Sequence, residues 1–281
     1  MTPVTELTKP AAAEVAKPIE GYLQVVPEAR VDGGVATIDA RGIYYKHLNE
    51  VVRRCLADGA KKVVLENVNG QRYIGTGLKG ADTRIEVHGT AGQDMAMFMD
   101  GPTVEVFGSA QDGVGNTMNA GRVIVHGDAG DVLGYGMRGG RVFIKGDVGY
   151  RVGIHMKAYE TRHPVMVCGG KARDFFGEYM AGGVLVLLGM DSRIEGPLVG
   201  GYIGTGMHGG VIYLRGEVEP WQCGKEVGTF PANEEDLANL RPVLEEYCEA
   251  FGMDVDEVLS VPFTKLVPVS HRPYGKLYTY V

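Results

Sequence analysis

The 281-residue sequence contains no apolar stretch long enough to cross a membrane. It also contains no extended basic run, and its formal net charge is -7. Because affinity for nucleic acids depends on clustered Lys and Arg, we expect neither a nucleic acid nor a membrane as a partner. Residues 1–21 lack the continuous apolar core of a signal peptide, and their Ala, Pro, Thr and Lys predict a flexible leader.

Cysteine is scarce, and the cysteines are widely scattered. They are Cys55, Cys168, Cys223 and Cys248. No CxxC pair exists, so neither a zinc site nor an iron–sulfur cluster has its usual spacing. Scattered single cysteines are typical of a reducing cytoplasm, where we expect the protein, and we expect these side chains to be small buried hydrophobes.

Glycine, by contrast, is abundant, with 43 residues, but it lacks the three-residue period of collagen. It recurs among β-branched residues, which excludes low-complexity disorder. Glycines that close successive β-rich runs lie 19 residues apart, at Gly70, Gly89, Gly108, Gly127 and Gly146. A fixed period near 20 residues is typical of a solenoid.

Each copy of the repeat has a strand half and a corner half. The strand half alternates apolar and polar residues, as in 84–89 and 122–127, which predicts one buried face. The corner half ends in Gly-x-x-Met at residues 115–118, 134–137, 153–156, 177–180 and 204–207. Glycine suits these corners because positive φ carries no penalty there. We predict that the corner methionines form a stacked core ladder rather than a cofactor-binding row.

This pattern predicts a mainly β fold, a right-handed parallel β-helix of about seven Gly-rich turns over residues 70–218. A leucine-rich repeat needs a leucine consensus that is absent, and a propeller blade needs about 40 residues. Residues 22–69 predict an N-terminal α/β cap, with a strand at 34–39, a helix at 47–56 and a strand at 62–65.

The C-terminal segment, residues 219–281, predicts a helix followed by an extended docking tail. Asn233 is the expected N-cap. The apolar face of the helix is expected to comprise Leu237, Leu240, Leu244, Tyr247 and Phe251. The sequence leaves open whether this segment covers its own last turn or docks on another subunit.

A polar cluster between the fourth and sixth turns is the candidate partner-docking surface. It comprises Arg138, Arg151, His155, Lys157, Arg162, Arg173, Asp174 and Glu178. Charged rims set register and specificity in protein interfaces. The alternative is a solvated face whose Arg–carboxylate pairs hold the corners, which we favour for Arg151 and Glu178. For Lys157, Arg162 and Arg173 we favour docking.

The sequence offers no catalytic, cofactor-binding or metal-binding residue. The Gly-rich stretch 134–139 precedes a predicted strand, whereas a phosphate loop needs a following helix. His88 and His126 occupy equivalent positions two turns apart, about 9–10 Å by strand spacing, which is too far to share a metal ion. We expect both to be surface or partner-facing residues.

Two strings, GYRVGIHMK at 149–157 and GEYMAGG at 177–183, resemble the glycine-rich (GXGXG) C-terminal β-helix domain of the glutamate synthase large subunit. The resemblance covers about residues 34–218 and is strongest to the stand-alone form of this domain in the split enzyme. It implies a non-catalytic scaffold in a hetero-oligomer that transfers the amide nitrogen of glutamine to 2-oxoglutarate in glutamate biosynthesis. The implied partners are an amidotransferase subunit and a synthase subunit that carries FMN and an iron–sulfur cluster.

The resemblance also leaves alternatives. Related β-helix subunits occur in formylmethanofuran dehydrogenase, in formyltransferase/hydrolase complexes and in N-methylglutamate synthase. The first class would bring amidotransferase and flavin partners, whereas the formyl-transfer class would bring a formyltransferase and an amidohydrolase-like partner. Self-association of the chain also stays open.

Overall fold

The computed structural model describes residues 26–190 and 192–269, which form one 12-stranded sheet in the order β1-β2-β3-β4-β5-β6-β7-β8-β9-β10-β12-β11. The strands are β1 Ala29–Asp32, β2 Val35–Asp39, β3 Lys62–Asn69, β4 Arg84–Thr90, β5 Asp100–Phe107, β6 Ala120–Val125, β7 Arg141–Ile144, β8 Val165–Cys168, β9 Ala181–Leu187, β10 Gly209–Arg215, β11 Val227–Pro231 and β12 Phe263–Pro268. The helices are α1 Tyr45–Ala57, α2 Glu234–Phe251 and α3 Val255–Leu259, with a 3-10 turn at Pro220–Gln222. The predicted leader, 1–21, and the end of the predicted tail, 270–281, lie outside the described residues.

Strands β2 to β10 each pair in parallel with the next, and the sheet forms a β-solenoid of about six turns. This confirms the predicted parallel β-helix, with about one turn fewer than the period suggested. Register is set by the apolar positions, which stack directly on one another. Ile85 pairs with Val104, Val104 with Val123, and Val123 with Val142, and all four are fully buried.

The interior of the solenoid is one continuous apolar column. The predicted methionine ladder lies in it, since Met118, Met137, Met156, Met180 and Met207 are at most 1% exposed. A single turn buries too little apolar surface to fold alone, so each turn is stabilised by the turns on either side of it.

The N-terminal unit is continuous with the solenoid. Helix α1 connects β2 to β3, which are parallel, and it buries Leu48, Val51, Val52 and Cys55. Strand β3 extends to Asn69, four residues beyond the predicted end, and pairs with β4, so it forms part of the same parallel sheet. Strand β1 pairs antiparallel with β2 and ends the sheet on this side.

Helix α2 lies on the outer face of the solenoid sheet. Asn233 caps it as predicted, since its side chain accepts a hydrogen bond of 2.9 Å from the N–H of Asp236. Leu240, Leu244 and Tyr247 of its predicted apolar face are buried against outward side chains of β6 to β10. Strand β12 then pairs antiparallel with β10, so residues 263–268 cover the last turn of their own solenoid.

Candidate functional site

The corners of the solenoid place three residues per turn at positive φ, in three columns that run along its axis. The first column comprises Tyr73, Asp94, Gly113, Val132, Arg151, Phe175 and Tyr202. The second comprises Gly75, Ala96, Gly115, Gly134, Gly153, Gly177 and Gly204. The third comprises Gly77, Phe98, Thr117, Gly136, His155, Tyr179 and Gly206. All have φ between 52° and 77°, a region that costs a residue with a side chain about 1–2 kcal/mol.

Hydrogen bonds between turns hold this unusual backbone. The N–H groups of Arg151 and His155, in the first and third columns, donate to the following turn at 3.0 Å. The N–H of Gly153, between them in the second column, donates to the preceding turn at 2.8 Å. Each corner is therefore bonded in both directions. The first and third columns carry exposed side chains, such as Tyr202 and Tyr179. In the second column, a Cβ added at Gly115 or Gly153 would meet a buried interior side chain, so this column faces the interior.

Those outward side chains form two stacks of rings on the later turns. In the first column, the guanidinium of Arg151 lies 4.4 Å from the ring centre of Phe175, which stacks on Tyr202 at 4.9 Å. In the third column, His155 stacks on Tyr179 at 5.2 Å with nearly parallel rings. We call these five residues, together with Tyr135, the ring surface. Tyr135 meets His155 edge-on at 5.7 Å.

Three of the eight predicted docking residues hold this surface in place. Glu178 is buried, and its carboxylate pairs with the guanidinium of Arg151, as expected for a pair that holds a corner. The carboxylate of Asp174 accepts a hydrogen bond of 2.8 Å from the N–H of Gly201 in the next turn. Glu178 and Asp174 thus both make bonds within the chain.

Four other predicted residues are basic, exposed and close to the rings in sequence. Arg138 and Lys157 each follow the buried methionine that ends a corner, directly beyond the third column. Arg173 lies two residues before Phe175, on the other side of the first column. Arg162 is exposed and lies 3.9 Å from Asp100, which places the 157–164 loop over earlier turns. Along the chain, exposed basic residues therefore lie on both sides of the corner segments that carry the rings.

Sequence reasoning missed the aromatic half of this site. Tyr135, Phe175, Tyr179 and Tyr202 were not among the candidates, although Tyr202 is 60% exposed. For Phe175, Tyr179 and Tyr202 the missed signal was positional, because aligning the repeats puts large residues at two corner positions that need positive φ. A side chain retained where glycine is favoured indicates a role for the side chain itself.

Three of the cysteines are buried in the fold. Burial raises the pKa values of the Cys55, Cys168 and Cys248 thiols, which keeps them protonated. Within the described residues, no three His, Cys, Asp or Glu side chains converge closely enough to hold a metal ion. In the same part of the chain, no helix has the length and apolar character that spanning a membrane requires.

The two histidines considered as metal ligands are separated by an aromatic ring. Phe107 lies between His88 and His126 and stacks on each at 4.9 Å. This arrangement agrees with the two-turn separation expected from the sequence. His126 also contacts the carboxylate of Glu105 at 2.8 Å and the ring of Phe251 in α2.

A second set of carboxylates supports the loops between turns. The side chain of Asp128 accepts a hydrogen bond of 2.9 Å from the N–H of Asp147. Asp147 in turn accepts bonds from the N–H groups of Lys171 at 2.8 Å and Arg193 at 2.9 Å. Burial by itself would raise the pKa of Asp147, but these bonds to its charged form hold that pKa below its usual value.

Two comparisons with known proteins place this geometry in context. The family model of the GXGXG motif matches residues 59–269. The chain is also 48% identical over 249 residues to an uncharacterized protein, MJ1350, of Methanocaldococcus jannaschii, which covers 86% of this chain and 95% of that protein. The family match extends past residue 218, where the sequence resemblance ended, and includes α2 and β12.

Proposed function

We propose that this chain, which belongs to the GXGXG motif family typified by the C-terminal domain of the large chain of glutamate synthase, is the scaffold of a glutamate synthase-like complex. In this proposal it holds an amidotransferase subunit, which releases ammonia from glutamine, beside a synthase subunit. The synthase subunit adds the ammonia to 2-oxoglutarate by using FMN and an iron–sulfur cluster. The chain itself supplies no reacting group.

The observation that carries the proposal is the family match over residues 59–269, which covers the parallel turns and the C-terminal helix together. The architecture supports it, because one continuous sheet with a stacked interior suits a rigid spacer between two catalytic subunits. Holding two sites at a fixed distance raises the effective concentration of one at the other, so a released intermediate is used before it escapes.

The ring surface and its basic flanks are the part of the chain that we assign to docking. Aromatic side chains and Arg are enriched where proteins bind one another, and charged flanks set the register of the bound partner. Exposed Tyr135, Tyr179 and Tyr202, each at least 44% accessible, give the solenoid a surface of this composition.

The test is affinity purification of the tagged chain from its own cells, with untagged cells as the control. We expect an amidotransferase and a flavoprotein to co-purify, a visible flavin spectrum, and glutamate formation from glutamine and 2-oxoglutarate. Removing this chain should abolish the glutamine-dependent reaction. Formyl-transfer partners without flavin, or a chain that purifies alone, would contradict the proposal.

A further inference from the structure

We propose that the ring surface and its basic flanks bind a carboxylate-rich segment of a partner subunit. This inference rests on the proposed function, because it names the chemistry of the partner that the scaffold holds. It concerns one corner of the solenoid on the later turns, where Arg138, Lys157 and Arg173 flank the stacked rings.

The rings are exposed yet held in fixed positions. Tyr179 is 45% exposed, but its ring stacks on His155 and covers Gly206, where an added Cβ would lie 2.3 Å from it. A ring that is ordered before a partner arrives loses little rotamer freedom on binding. Rigid, accessible aromatic side chains of this kind carry much of the binding energy in protein interfaces.

The local charge selects an acidic occupant. Arg138, Lys157 and Arg173 are exposed, and within residues 26–190 and 192–269 none of them forms an ion pair. The neighbouring carboxylates of Asp174 and Glu178 are already engaged inside the chain. Although the chain has a net charge of -7, these three cations are available beside the rings, and an acidic segment complements them.

The C-terminal residues of the chain itself do not have this chemistry. Residues 270–281 contain His271, Arg272 and Lys276 but no Asp or Glu, so they share the charge of the surface. Arg138, Lys157 and Arg173 are also far fewer than the clustered Lys and Arg on which nucleic-acid binding depends. A segment of another protein that carries Asp and Glu is the occupant that these charges favour.

The repeat supplies matched controls in earlier turns. Lys79 follows buried Leu78 at the end of a corner, just as Lys157 follows buried Met156, and both lysines are exposed. Phe98 occupies the same positive-φ column as Tyr179 and is 47% exposed. Glycine already occurs in this column at Gly136, so removing either ring by Tyr179→Gly or Phe98→Gly keeps a favoured backbone.

The first experiment is zero-length carbodiimide cross-linking of the native complex, which joins a lysine directly to a carboxylate. We expect Lys157 to be linked to Asp or Glu of a partner subunit, and Lys79 not to be. Lys157→Arg should remove the link while leaving assembly unchanged, because the charge is kept. Links from Lys157 to the leader of this chain, or to a second copy, would overturn the assignment.

The second experiment measures how much partner is recovered with each tagged variant as salt rises. Lys157→Glu should weaken the association about tenfold at low ionic strength, and the deficit should shrink at high salt, where charges are screened. Tyr179→Gly should weaken it at all salt concentrations, whereas Lys79→Glu and Phe98→Gly should match the wild type.

The outcomes separate the two proposals. An intact flavin complex that recovers equally with Lys157→Glu and wild type overturns this inference but leaves the proposed function standing. A chain that purifies without partners overturns both. The purified material is also checked for nucleic acid by its absorbance. If nuclease removes that nucleic acid and also removes the Lys157→Glu effect, the occupant is a nucleic acid and the acidic protein segment is wrong.

Discussion

Adding a methyl group at Gly153 should destabilise the protein more than the same change at Gly115. Both glycines belong to the second column of positive φ, with φ of 74° and 70°. They differ in what the new Cβ would meet. At Gly153 it would lie 2.6 Å from a terminal methyl of Leu185, whereas at Gly115 it would lie 3.1 Å from a methyl of Val142.

The magnitude follows from two contributions. Alanine at positive φ costs about 1–2 kcal/mol, and the smaller entropy of the unfolded chain returns about 0.4–1 kcal/mol. Gly115→Ala should therefore cost about 1 kcal/mol. Leu185 is fully buried and the new Cβ would lie 2.6 Å from it, so Gly153→Ala adds an overpacking cost of about 1–3 kcal/mol.

The assay is thermal unfolding followed by circular dichroism at a fixed heating rate. At about 2–4 °C per kcal/mol for a chain of this size, Gly115→Ala should lower Tm by about 2–4 °C and Gly153→Ala by about 5–15 °C. Ala96→Gly, in the same column, should change Tm little, because relief at positive φ offsets the lost methyl. Equal effects of the two alanine substitutions would contradict the tighter contact that we infer between the new Cβ and Leu185 at Gly153.

Three further changes test the packing and the charges. Met137→Ala should lower the free energy of unfolding by about 2–5 kcal/mol, because it opens a cavity in the methionine ladder, whereas Met137→Leu should lower it by less than about 1.5 kcal/mol. Urea unfolding measures both values. Leu244→Ala should cost about 2–5 kcal/mol, because this residue is fully buried between α2 and the sheet; an unchanged midpoint would contradict that packing. Asp147→Asn should lower the free energy of unfolding by about 1–2 kcal/mol at neutral pH, because it weakens the hydrogen bonds from the N–H groups of Lys171 and Arg193 to the charged carboxylate. Because the folded pKa of Asp147 is lowered, this deficit should persist above about pH 3.9 and shrink as pH falls through the lower folded pKa, which pH-dependent Tm measurements would show.

The repeat made the architecture predictable from sequence. The 19-residue period, the alternating strands and Gly-x-x-Met corners specify which residues stack, so the parallel sheet and the buried Met118 and Met137 followed directly. Asn233 was recognisable as an N-cap because capping is a local interaction within four residues. These features depend on short-range chemistry or on a strict period.

The site was only half predictable, for a physical reason. The charged members, such as Lys157 and Arg173, are visible as charges in the sequence, but Tyr179 and Tyr202 are inconspicuous until their positions within the turn are known. Stacking between turns depends on insertions of different length before each corner, and these break the 19-residue period after Gly146. The placement of β12 on β10 was equally hidden, since it joins segments about fifty residues apart.

The scaffold role and the docking surface can be tested together by a cryo-electron microscopy map of the complex purified from its own cells. We predict catalytic subunits bound to the solenoid, with an acidic segment of one partner covering Tyr179 and Lys157. We also predict that Phe98 and Lys79 on the earlier turns stay outside that contact. A map in which the catalytic subunits bind elsewhere and the ring surface faces solvent would show that both assignments are wrong.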